Sequence, residues 1–170
     1  MTIQLVLVLA MAAIAASQHC QYTPPSIPID LEKFSGIWYS QKRFGDSYII
    51  TPDCFRINLS ANKHDEGFSL IFDHKNRKDQ VESTPLQFEP AGSNYYKLTL
   101  SGTTYLVAFL AVEYDSYAVY YDCSSTEGFS YVLTRSKERN DTLIDVAVRE
   151  AKQVSPFLPP PATELNCEIF

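Results

Sequence analysis

The chain has 170 residues, the length of one domain, and its 45% hydrophobic and 13% aromatic content supplies a core and excludes a disordered chain. Fourteen basic against twenty acidic side chains give a formal charge of -6, the wrong sign for a phosphate-backbone binder or for an anionic membrane surface, so no nucleic-acid partner is expected. Eleven Tyr and ten Phe beside one Trp favour strands over helices.

At the N-terminus, Ile3 to Ala16 is an uncharged apolar run that ends in small residues and passes into Gln18-His19-Cys20. It reads as a secretory signal, although the usual basic segment before it is missing. The run is shorter than the roughly 20 residues that cross a bilayer and no second one follows, so no integral membrane span is expected. Residues 1–17 are therefore assigned to the signal and 18–170 to a single extracellular domain, with cleavage after Ser17 or Ala15. Cys20, Cys54, Cys123 and Cys167 are even in number and too far apart for a CxxC site, which predicts two disulfides with three pairings open. The sequons Asn58-Leu59-Ser60 and Asn140-Asp141-Thr142 make Asn58 and Asn140 glycosylation candidates, each facing solvent if used.

Pro24-Pro25-Ser26-Ile27-Pro28 is a stiff lead-in. Eight short alternating segments follow: Ile37 to Arg43, Phe55 to Ser60, Gly67 to His74, Gln80 to Glu89, Asn94 to Leu100, Thr103 to Glu113, Tyr117 to Cys123 and Phe129 to Arg135. Turn residues such as Pro90-Ala91-Gly92-Ser93, Ser101-Gly102 and Asp115-Ser116 separate them, the pattern of an antiparallel sandwich or barrel whose strands pair with their sequence neighbours. Pro85 lacks a donor, so its strand is expected at an edge or bulged. Beyond Arg135 the period changes: Ile144, Ala147, Val148 and Ala151 recur at helical spacing behind Asn140-Asp141-Thr142, which predicts one amphipathic helix ended by Pro156. Pro159-Pro160-Pro161 then carries an extended tail toward Cys167.

The stretch from Asp30 to Tyr39 contains Gly36-Ile37-Trp38 just after a short turn, Glu113-Tyr114-Asp115-Ser116-Tyr117 lies between the sixth and seventh segments, and Leu133-Thr134-Arg135 closes the eighth. In this order the three resemble the lipocalin motifs, and Phe129 to Lys137 with Asn166-Cys167 is most similar to the apolipoprotein D and insect bilin-binding group. The resemblance implies an all-β, eight-stranded up-and-down barrel, or calyx, with the helix packed outside. It also implies disulfides Cys20–Cys123 and Cys54–Cys167, and a floor in which the Arg135 guanidinium stacks on Trp38, with Gly36 and Asp115 as structural motif residues.

In such a barrel side chains alternate between inside and outside, so one anchor orients a strand. Arg135 turned toward Trp38 sends Leu133, Tyr131 and Phe129 inward. Asn58, outward as a glycan acceptor, sends Phe55, Ile57 and Leu59 inward. Phe68, Leu70, Phe72 and His74 share a face, as do Leu86 with Phe88 and Tyr96 with Leu98 and Leu100. If Cys123 bonds an arm wrapped outside, Ala118, Tyr120 and Asp122 point in. The sixth segment is apolar on both sides; Tyr105, Val107 and Phe109 are assigned inward, leaving Leu106, Ala108 and Leu110 beneath the helix. All of these inward residues are ligand candidates except Leu100, Ala118, Asp122 and Leu133.

No catalytic or metal constellation is present in the sequence: three histidines are too few and too scattered, and no Gly-rich phosphate loop occurs. The four cysteines fit bridges, so neither a thiol isomerase nor a thioether-held bilin is expected. No cofactor is required and no enzyme is expected. The resemblance favours a secreted carrier of a small hydrophobic ligand, first a non-covalent bilin such as biliverdin, then a carotenoid, retinoid, fatty acid or sterol. His74, continuing the Phe68-Leu70-Phe72 face to the rim, is the side chain that could meet a tetrapyrrole or haem iron. The rival reading is an interaction protein whose rim loops, Ser47 to Pro52 and Ser124 to Gly128, bind a macromolecule; it predicts a solid interior. A second copy of the chain and a cell-surface receptor remain open as partners.

Overall fold

A computed structural model describes residues 23–45, 54–62, 64, 67–76, 78–124, 128–156, 158, 161–164 and 167. The chain runs α1 (Leu31–Phe34), β1 (Gly36–Phe44), β2 (Phe55–Ala61), β3 (Phe68–Lys75), β4 (Val81–Pro90), β5 (Tyr96–Leu100), β6 (Thr103–Glu113), β7 (Tyr117–Cys123), β8 (Gly128–Thr134), α2 (Asp141–Val154) and β9 (Pro161–Glu164). Strands β1 to β8 each pair antiparallel with their sequence neighbours, and β1 also pairs with β8, which closes the barrel. The signal segment, Cys20 and the loop Ser47 to Pro52 lie outside the described residues.

The entry to the barrel is fixed locally. Asp30 caps α1 by accepting hydrogen bonds from the Glu32 and Lys33 amides. The helix delivers Phe34 to the barrel floor, and β1 then begins at Gly36 with φ +103, a conformation that favours glycine. A Cβ there would also stand 3.1 Å from the Arg135 Nη1, so the motif glycine answers both to the backbone and to the close guanidinium.

Two apolar layers result. The inner layer fills the barrel, and the outer one lies between α2 and the strands β6 to β8, where Ile144, Ala147 and Ala151 bury against Leu110, Tyr117, Val119 and Val132. Asn140 caps α2 by accepting from the Leu143 amide at 3.1 Å, and the helix ends at Ser155, ahead of Pro156 as the sequence predicts. The two-sided β6 is thereby covered on both faces, with Tyr105, Val107 and Phe109 inward. A bulge at Leu110 shifts the alternation: Ala111 joins Leu110 in the outer layer, and Val112 packs against the inner one.

Strand β4 pairs with β3 along its whole length but with β5 only at Glu89 and Pro90, so Pro85 sits where its missing donor costs no ladder bond. The tail forms β9 against Lys42 to Phe44 of β1, where the sequence predicts only an extended segment. It is held by the Cys54–Cys167 disulfide, which spans a sequence separation of 113. Cys123 is disulfide-bonded as well, and the partner predicted for it, Cys20, lies outside the described residues. A C54S/C167S double variant is expected to lose about 2–4 kcal/mol of stability, read from urea midpoints, because the reduced chain regains the entropy of a very long loop.

Candidate functional site

Because β1 starts at the floor, the strand directions place the Phe55 end of β2, the His74 end of β3 and the Cys123 end of β7 at the opposite rim. Between floor and rim lies a cavity of about 290 Å³. Phe34, Phe68, Phe88, Phe109 and Leu133 form its lower part. Ile57, Leu59, Leu70, Leu86, Leu98 and Val107 form its middle, and toward the mouth, where Thr84 and Ser101 are exposed, stand Phe72, His74, Leu100, Tyr105, Tyr120, Asp122 and Phe129.

The floor is closed from below. Trp38 is fully buried, its Nε1–H donates to the Phe34 carbonyl at 2.8 Å, and the Arg135 guanidinium carbon lies 3.8 Å from the indole centroid. Arg135 also donates to four backbone carbonyls: Tyr114 at 2.9 Å, Ile37 at 3.1 Å, Lys33 at 3.0 Å and Phe34 at 3.5 Å. Burial lowers the Arg135 pKa and the nearby Asp115 charge opposes this, so Asp115 helps keep the cation in place. Neither Trp38 nor Arg135 lines the cavity.

Three polar groups distinguish the upper wall. The side chain of Asp122, opposite Val107 on β6 and Phe129 on β8, makes no hydrogen bond or ion pair among the described residues, and burial pushes its pKa up to about 8. Tyr120, two residues earlier, is held well above its usual range by burial and by the charges it would face on Asp122 and Tyr131. His74 has Nε2 3.7 Å from the Glu82 carboxylate, while its buried Nδ1 has no hydrogen-bond partner among the described residues. No group of three or more His, Cys, Asp or Glu among the described residues is placed to hold a metal.

No protein-family model matches the sequence, and no curated protein matches it. Among solved structures, apocrustacyanin C2 superposes with a TM-score of 0.61 at 16% identity, over 72% of this chain and 72% of that one. Apocrustacyanin C1 superposes with a TM-score of 0.62 at 15% identity, over 78% of this chain and 84% of that one. The chain has the lipocalin fold. At such identity the likeness is one of fold, and the calyx chemistry rests on this chain's own residues.

Every ligand candidate from the sequence lines the calyx except Phe55, Tyr96 and Tyr131. Those three point inward but form the packed layer behind the lining: Phe55 meets the Tyr131 ring edge-on at 4.8 Å, Tyr131 stacks on Tyr120 at 5.7 Å, and Tyr96 meets Phe68 edge-on at 4.9 Å. Phe34, Thr84, Leu100, Ser101, Asp122 and Leu133 line it without having been candidates. Strand parity already turned Leu100, Asp122 and Leu133 inward, and Thr84 shares the parity of Leu86 and Phe88 on β4, whereas Phe34 arrives from α1 and Ser101 belongs to a rim turn, where alternation carries no signal.

Proposed function

We propose that the protein binds a small hydrophobic ligand in this calyx and carries or sequesters it unchanged. The observation that carries the reading is the cavity of about 290 Å³, walled by aromatic and aliphatic side chains at the end of the barrel opposite the Trp38–Arg135 plug. A purely structural barrel would fill this space, since interiors pack with few voids larger than a water molecule. The same cavity weighs against the rim-loop interaction reading, whose mark is a solid interior.

The size narrows the ligand. Ligand pockets usually run from about 300 to 1,000 Å³, so this one suits a single chain or one or two rings better than a four-ring bilin. A bilin also brings two carboxylates, and among the described residues no Lys or Arg lines the wall to meet them. Bilin therefore stands behind a slimmer, non-acidic ligand, and a visible absorption spectrum of the protein purified from its native source separates the two: a blue-green band would restore the bilin. We infer an extracellular setting, supported by the Cys54–Cys167 bridge, and glycosylation at Asn58 and Asn140, supported by their exposure.

Binding is tested with N-phenyl-1-naphthylamine, an uncharged dye that fluoresces in apolar surroundings. Wild-type protein is expected to take up about one dye per chain. Leu86→Trp, which sets an indole into the cavity from a half-buried wall position, is expected to weaken uptake by about tenfold or more while the far-UV spectrum is kept. Absence of uptake by the wild type, or equal uptake by a folded Leu86→Trp protein, would remove the calyx as a binding site.

A further inference from the structure

We propose that the calyx selects hydrophobic molecules that carry one primary amine, whose ammonium group pairs with the Asp122 carboxylate near the mouth. The inference rests on the carrier reading above and adds the ligand's head group to it.

The fold contains its own control. Asp73, a buried aspartate on β3, is saturated: Arg56 donates to its Oδ2 at 2.7 and 3.0 Å and the Ser83 hydroxyl to its Oδ1 at 2.6 Å. Burial pushes the Asp73 pKa up, but the Ser83 and Arg56 hydrogen bonds outweigh it and hold the group below its ordinary value. That is how this protein treats a carboxylate that serves structure. Asp122 is set into an apolar wall with part of its surface open to the cavity and has none of these partners. A carboxyl so placed costs stability unless something enters to satisfy it.

The missing partner is a cation. No Lys or Arg among the described residues lines the cavity, and on this inference the positive charge comes with the ligand. Tyr120, Phe129 and Tyr105 share the upper wall with Asp122, and aromatic faces suit an ammonium. Across the barrel on β3, with Nε2 turned to Glu82, the buried His74 Nδ1 is left as an acceptor for a second N–H. A carboxylic acid head group would place a second acid beside Asp122, and an alcohol would leave the ionic contact unmade.

The proton balance is explicit. With its pKa near 8 the empty calyx holds Asp122 as a neutral acid at about pH 7. Entry of R–NH3+ converts the carboxyl to a carboxylate paired with the ammonium, and one proton leaves to solvent. The titratable groups sharing the wall are the Tyr120 phenol on the same strand, Tyr105 on β6 and His74 on β3, backed by Tyr131 on β8 and by Glu82 on β4 beside His74. Arg43 on β1, buried opposite Tyr131, is a fixed cation behind that wall, but it does not line the cavity.

The experiment compares decylamine, decan-1-ol and decanoic acid as displacers of the uncharged dye, with one tail and three head groups. At about pH 7.5 decylamine is expected to bind about tenfold tighter than either of the others. Its affinity is expected to rise between about pH 6 and pH 8, and its heat of binding to vary with buffer ionisation by close to one released proton. D122N is expected to bring the amine down to the level of the alcohol, each read against that variant's own affinity for the dye. Three equal affinities in the wild type would overturn the amine inference and leave the carrier reading standing. Failure of the dye and all three displacers to bind would overturn both. An amine preference that persists in folded D122N, or that comes without proton release, would overturn the role of Asp122. Should D122N not fold, the wild-type pH dependence and proton count decide.

Discussion

Trp38→Ala is expected to cost about 3–5 kcal/mol of stability, the range for removing a fully buried large aromatic. The indole is fully buried against Phe34, whose ring centroid is 4.8 Å away, and its loss deprives the Phe34 carbonyl of the Nε1–H donor. It also strips the face from the Arg135 guanidinium, which would stay tied to the carbonyls of Lys33, Phe34, Ile37 and Tyr114 above a void. Those four carbonyls belong to α1, the start of β1 and the turn between β6 and β7, so the floor joins segments far apart in sequence. Arg135→Lys tests the same joint more gently. A lysine keeps the charge but loses the planar fork that reaches four carbonyls and stacks on the ring, and about 1–3 kcal/mol should go with it. Urea midpoints of the two variants measure both effects. A Trp38→Ala loss below about 1 kcal/mol would show that the barrel closes without its floor.

The floor was legible through the resemblance of Gly36-Ile37-Trp38 and Leu133-Thr134-Arg135 to a known family's motifs. Arg135 is distant in sequence from Gly36 and Trp38, yet each restricts the others: the left-handed glycine admits the guanidinium, which needs the ring. The strands were legible for a different reason, since half-buried β-structure writes its period of two into the sequence, and observed and expected strand ends agree to within two residues. Where alternation is locally broken the reading lost its footing. The bulge at Leu110 moves Ala111 to the outer layer, and a strict period would have put it inside. Strand β9 is four residues long, begins at a proline and pairs on one side with the end of β1, so nothing in its composition announces a strand.

Depth was harder to read than direction. Parity says that Tyr131 points inward, as it does, but not whether a second ring stands between it and the ligand space. Tyr120 and Tyr131 are directly paired across β7 and β8, and the stack they form leaves Tyr120 on the cavity and Tyr131 behind it. Phe55 and Tyr96 are hidden in the same way by Phe72 and Phe68. Asp122 shows the converse. Its inward direction followed from turning Cys123 outward toward an N-terminal arm, but a lone acidic residue near a strand end reads as solvated surface until the walls around it are known.

Those walls make Asp122 the source of an unusual pH dependence of stability in the ligand-free protein. Its folded pKa, about 8, lies above the ordinary 3.8. Between those values the folded state holds a proton that the unfolded chain has released, so stability should fall as pH rises from about 4 to about 8, by up to about 1.4 kcal/mol per pH unit. Asp73 acts in the opposite sense: its lowered pKa gives stability that is present above its unfolded value and lost as pH falls below it. Both the wild type and D122N keep Asp73, so its contribution cancels in their difference. That difference should therefore open with rising pH in favour of D122N, reaching several kcal/mol by about pH 8. Urea midpoints at about pH 5, 6.5 and 8 measure it, and parallel profiles for the two proteins would mean that Asp122 ionises as freely as a surface carboxylate. Saturating decylamine should flatten the wild-type slope, because the carboxylate is already ionised and paired in the complex. Stability and binding thus report on the same proton, one as a penalty carried by the empty calyx and the other as the proton released when the amine enters.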